Sequence, residues 1–157
     1  VQWNSGSNFY VWDTTTEIVT DKSLSCTSYA NDVAVNPVND HEIFITTWNT
    51  QNVQKYSYSD NNCQVFAATG TTLNKYLAMT SDGNYIMVCW QNNCREYNTL
   101  NNQVTWSKSY TASNSFPSAV VYDSSGFYAY KSTSLGTGGV LYKIFGMQVG
   151  WAQFRKK

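Results

Sequence analysis

The stretch Asn31–Thr69, NDVAVNPVNDHEIFITTWNTQNVQKYSYSDNNCQVFAAT, decides the fold. It reads as four short strands. The first is Val33-Ala34-Val35, followed by a turn over Asn36–Asp40 that contains Pro37. The second runs from Glu42 to Trp48, where Ile43 and Ile45 alternate with Phe44 and Thr46. The third covers Val53–Tyr58 and the fourth Gln64–Ala68. β-Branched and aromatic side chains, which fit a pleated surface, fill the strands. Asn, Asp, Ser and Pro, which favour turns, fill the gaps.

The rest of the chain repeats this unit at a spacing of about 42 to 44 residues, inside the range of propeller repeats. In Asn74–Trp106, Leu77-Ala78-Met79 matches Val33-Ala34-Val35. Ile86–Trp90 matches the second strand, with Trp90 set against Trp48. Asn93 matches Asn52, Tyr97 matches Tyr56, and Gln103–Trp106 matches Gln64–Phe66. A third copy begins at Ser118–Val121, turns at Asp123–Gly126, continues through Phe127–Tyr130 and Leu141–Ile144, and ends at Gln148–Trp151. The small first-strand centre is Ala34, Ala78, and Ala119 or Val120 in the third copy. Four antiparallel strands in roughly 40 residues make one propeller blade. The expected fold is therefore all-β, with blades at about 31–69, 74–110 and 117–154 in a single propeller-type domain.

Before these blades comes half of one, at 8–22. Asn8 stands where Asn52 and Asn93 stand, Phe9–Asp13 matches the third strand, and Glu17-Ile18-Val19 matches the fourth. On Trp12-Asp13 the chain resembles the WD40-type propellers, whose third strand ends in Trp-Asp. Later copies carry Tyr56-Ser57, Tyr97-Asn98 and Ile144-Phe145. The His before the first strand and the turn Asp of WD40 blades are absent, so the looser YVTN or NHL repeats fit as well. The resemblance implies an incomplete propeller, or one completed by assembly.

Bulk properties narrow the function classes. Formal net charge is zero and no basic stripe exists, which argues against a nucleic-acid partner. The longest apolar run is too short to span a bilayer. The start, Val1-Gln2-Trp3-Asn4, shows neither an initiator Met nor a signal-peptide pattern, so the reading is a processed product or an excised part. Sparse charge and abundant Tyr, Trp, Asn, Ser and Thr favour an extracellular or surface setting over a cytoplasmic one. The cysteines are Cys26, Cys63, Cys89 and Cys94, an even set that permits three pairings. Cys89 and Cys94 flank the hairpin turn Trp90–Asn93 and can face each other across it, bridged or as two free thiols.

Candidate chemistry is thin. Asn31, Asp32, Asn74 and Asn114 lie just before first strands, near one mouth of a propeller channel. Calcium-dependent lactonases of this architecture gather oxygen ligands there. Only Asp32 brings a charge, and Asn and Asp are also ordinary turn residues. His41 is the only histidine, sits between Asp40 and Glu42 in a turn, and is expected to be exposed. As a general base or ligand it stands alone: with no second His, a His-based metal site or a Ser-His-Asp arrangement has at most this one candidate. Trp48 with Trp90, and Trp106 with Trp151, recur at repeat positions, which points to packing between blades rather than to a sugar-stacking surface. The sequence thus supports a non-catalytic structural or interaction module without cofactor or metal. Its expected partners are other protein chains, missing blades of the same polypeptide, or further copies in a ring or filament. A lactonase-like or quinoprotein-like enzyme and a lectin-like sugar binder are the alternatives. Ser132–Gly139, a Gly-rich loop, is expected to be the most mobile interior stretch.

Overall fold

The structure is a computed structural model that describes residues 8–23, 30–48, 50–57, 59–71, 74–109, 117–132 and 139–144. The described residues form strands, turns and bends, with no helix. The half blade is β1 (Asn8–Asp13) paired antiparallel with β2 (Ile18–Ser23). The first blade is β3 (Ala30–Val35), β4 (Glu42–Thr47), β5 (Asn52–Ser57) and β6 (Asn62–Ala68), hydrogen-bonded in that order. The second is β7 (Lys75–Met79), β8 (Tyr85–Trp90), β9 (Asn93–Asn98) and β10 (Val104–Ser109), again in order. The third shows β11 (Pro117–Asp123), β12 (Gly126–Ser132) and β13 (Gly139–Ile144). Its expected fourth strand at Gln148–Trp151 lies outside the described residues, as does most of the Gly-rich loop. The four sheets do not close, so the molecule is an incomplete propeller.

The blades stack face to face with β7 between the inner strands β3 and β11. Alternation along each strand sends neighbouring residues to opposite seams. On β8, Ile86, Val88 and Trp90 join Phe44, Val53 and Phe66 of the first blade. Met87 and Cys89, one residue over, join Phe127, Ala129 and Ile144 of the third. The first seam is tightened by edge-to-face aromatics: Phe44–Phe66 ring centroids lie 4.8 Å apart and Phe66–Tyr97 5.8 Å. The second seam contains a disulfide. Cys89 and Cys94 are cross-strand partners in β8 and β9, bonded through sulfur with Cα atoms 4.1 Å apart, and both are buried. Cys63 is also disulfide-bonded.

Register corrects two sequence expectations. Val33 pairs with Ile45 and Leu77 with Val88, so Trp90 is the counterpart of Thr47, not of Trp48. Trp48 falls one residue later, in a longer connection between β4 and β5, and a one-residue slip changes where a side chain points. Trp90 is accordingly 3% exposed in the first seam, whereas Trp48 is 54% exposed. Trp106 is half-buried against the second seam. In the third blade, Val121 pairs with Tyr128 as Ala78 pairs with Met87, so the inner-strand counterpart of Ala34 and Ala78 is Val121 rather than Ala119 or Val120.

Turns lock neighbouring blades as well. Gly83, in the β7–β8 turn, packs against the Asn36 and Val38 side chains of the preceding β3–β4 turn. A Cβ there would run into Asn36, and its φ of +69° is one that side-chain-bearing residues rarely adopt.

Candidate functional site

Each inner strand enters its blade at the end where the second-to-third-strand connections also lie, because the strands run alternately up and down. That shared end gathers Asn31, Asp32, Thr47, Trp48, Thr50, Asn74 and Lys75. His41, in the β3–β4 turn, lies at the opposite end, exposed, with Nδ1 3.8 Å from Asp40 Oδ1. The structure therefore does not bring His41 and Asp32 together. Asn114 lies outside the described residues. Among the described residues, no cluster of His, Cys, Asp and Glu is suited to holding a metal ion.

The polar groups at the entry end are joined across the first seam. Asp32 Oδ2 accepts the Leu77 backbone N–H at 2.8 Å, and Oδ1 accepts that of Val33 at 2.9 Å. Asn31 Nδ2 donates to the Lys75 carbonyl at 2.6 Å, and Thr46 Oγ1 donates to the same oxygen at 2.9 Å. From the other blade, Lys75 Nζ donates to the carbonyls of Thr47 (3.0 Å) and Thr50 (2.7 Å). The Thr47 and Thr50 hydroxyls hydrogen-bond each other, which helps set the connection that presents those carbonyls. Two strands of one blade thus grip the backbone of the next, and its lysine grips back.

Burial sets the electrostatics. Lys75 is 0% exposed, and desolvation lowers its pKa from 10.5 to about 8. Desolvation raises the pKa of Asp32, against the lowering effect of the Leu77 and Val33 N–H groups. A second buried carboxylate, Glu96, accepts from the Thr105 hydroxyl at 2.7 Å. Sequence reasoning missed Lys75 and Glu96. Their signal was weak: a charged residue in a strand ordinarily reads as solvent-facing, and Lys75 is held by carbonyls of the neighbouring blade.

The Trp12-Asp13 pair also acquires a local role. Asp13 Oδ1 accepts the N–H groups of Thr15 (2.8 Å) and Thr16 (3.3 Å), and the Thr16 hydroxyl together with these bonds holds its pKa down. Asn98 does the same for Leu100 (2.9 Å) and Asn101 (3.3 Å). The third-strand terminal residue is thus a turn former. Four residues on, Glu17, Asn61 and Asn102 all have positive φ, at 57°, 52° and 60°.

No family model and no curated protein matches the chain. Solved structures do. A chain of the Chaetomium thermophilum Polycomb Repressive Complex 2 bound to GSK126 superposes with a TM-score of 0.64 at 14% identity, over 93% of this chain and 36% of that one. The RRP9 WD40 repeats give 0.53 at 15% identity, over 76% and 39%. A chain of the Kuenenia stuttgartiensis hydrazine synthase gives 0.57 at 15% identity, over 73% and 32%. This chain spans roughly a third of the length of the solved chains it matches. At such identity the likeness concerns the fold alone, and by fold the chain is an incomplete array of β-propeller blades.

Proposed function

We propose that the chain is a non-catalytic protein-interaction scaffold within a larger propeller assembly. One observation carries this reading: Asn31 and Asp32, at the entry end, are committed to bonds with the next blade. The Asp32 carboxylate holds two backbone N–H groups, and His41 sits at the far end. The entry end offers Trp48 to solvent, on a connection longer than its counterpart in the second blade. The structural neighbours, among them WD40 repeats and a chain of a multi-protein complex by name, support a scaffold role. The disulfides support an extracellular or surface setting, where such bonds persist.

Phage-displayed peptides selected against the chain provide the test. Binders should lose at least about tenfold in affinity on Trp48→Ala, the order expected of a central aromatic anchor. Calorimetry with calcium should give no specific heat, and an esterase assay should show no turnover. Turnover abolished by Asp32→Ala or His41→Ala would overturn the reading in favour of an enzyme. The exposure of Trp48 at a position without counterpart also favours a second reading, a lectin-like sugar binder that stacks on this ring. A glycan array in which binding disappears with Trp48→Ala would establish it.

A further inference from the structure

Among the described residues, β1 has an edge that pairs with no strand, and the inner strand of the first blade carries two exposed valines. β5 and β9, the counterparts of β1, are each hydrogen-bonded on both sides, to β4 and β6 and to β8 and β10. β1 has the same six-residue length but, among the described residues, pairs with β2 alone. The inner strand β3 gives independent evidence. Leu77 on β7 is 5% exposed and Val120 on β11 is 7% exposed, each covered by the blade before it. Their counterpart on β3, Val33, is 44% exposed, and Val35 on the same face is 53% exposed. A first strand in the half blade would lie against those two valines.

We propose that the edge of β1 is a strand-addition site for a two-stranded β-hairpin, supplied by the same polypeptide from outside residues 1–157. Its second strand runs antiparallel to β1, as β4 does to β5. Its first strand covers Val33 and Val35 with a small or aliphatic residue, as Ala78 does in the second seam. A second copy of this chain is a poor source. Its own second-strand segments, β4, β8 and β12, are already paired on both sides, so lending one means unzipping a blade. The matched propeller chains are long enough to contain such a hairpin, since this chain covers only 32% to 39% of them.

The test lengthens the chain at its start with a copy of residues 30–47, or separately of residues 117–132, and reads amide hydrogen exchange over residues 8–13. At least one extension should slow exchange there by about tenfold or more, and a control extension copying residues 52–68 should not. Val33→Asp should leave the unextended chain's exchange unchanged and abolish the protection in the extended one. Failure of both extensions to protect residues 8–13, or protection that survives Val33→Asp, overturns the proposal. Equal protection in the unextended chain at rising concentration would assign the hairpin to a second copy and overturn the commitment to one polypeptide.

Discussion

Lys75 is the residue on which the first seam's chemistry turns. Its side chain is fully buried, and its ammonium donates to the backbone carbonyls of Thr47 and Thr50. Because burial lowers the folded-state pKa to about 8, the unfolded chain holds this proton more tightly. Stability from Lys75 therefore rises with pH between about 8 and 10.5, and below 8 the cost of burying the charge is borne in full. A shift of this size corresponds to roughly 3 kcal/mol. We expect NMR titration to place the Lys75 ammonium midpoint near 8, with the urea midpoint of unfolding rising from pH 7.5 to 9.5. Lys75→Met should flatten that rise; an unchanged slope in the variant would assign the pH dependence elsewhere. Asn31 and Asp32 could be picked from the sequence, because Asn and Asp at a strand entry are conspicuous. Lys75 could not, because its burial depends on carbonyls from the Thr47–Thr50 connection, more than twenty residues earlier in the chain.

At the scale of elements, the turn from third to fourth strand is one device used three times. A side-chain acceptor or hydroxyl stands at Asp13, Ser57 and Asn98, and a left-handed residue four positions later at Glu17, Asn61 and Asn102. Asn tolerates that conformation; Glu does so poorly, and a left-handed residue costs roughly 1–2 kcal/mol. Glu17→Asn should therefore slow amide exchange in the β1–β2 hairpin. The reverse change, Asn102→Glu, should lower the unfolding free energy by about 1 kcal/mol in chemical denaturation. If Asn102→Glu has no effect, the turn is not under the strain that its φ implies. Strand identity was legible across the described residues, since alternation, turn residues and repeat spacing are local signals. Register was legible only in part. Aligning Trp48 with Trp90 ignored the longer β4–β5 connection, and loop length shows only once the ladder Val33↔Ile45 is set against Leu77↔Val88. The inner strand of the third blade slipped for the same reason, because Ala119, Val120 and Val121 all suit a strand.

At the scale of the whole molecule, the arc ends in two apolar faces. On the half blade, Tyr10, Trp12 and Val19 share one face through the Trp12↔Val19 pairing, and all three are exposed. On the third blade, Val121, Tyr130 and Leu141 are exposed on the face opposite Val120, Phe127 and Ala129. The corresponding positions inside the arc are buried: Ala78, Cys89 and Cys94 for Val121, Tyr130 and Leu141, and Tyr56 and Tyr97 for Trp12. The ends thus present surfaces built like seams but left without a neighbour. Burying apolar area is worth roughly 25 cal/mol per Å² before the cost of association is met. The two faces differ, so contact between copies would be heterologous and would build rings or filaments rather than a closed dimer. We therefore expect light scattering on residues 1–157 to show mass rising with concentration in the micromolar range. Trp12→Ser and Leu141→Ser should each reduce that rise, one from each end. A monomer of constant mass that unfolds cooperatively at all concentrations would refute the expectation. Adding the strand-supplying segment should cover Val33 and Val35 yet leave the Val121 face bare, so association through that end should persist until a following blade caps it.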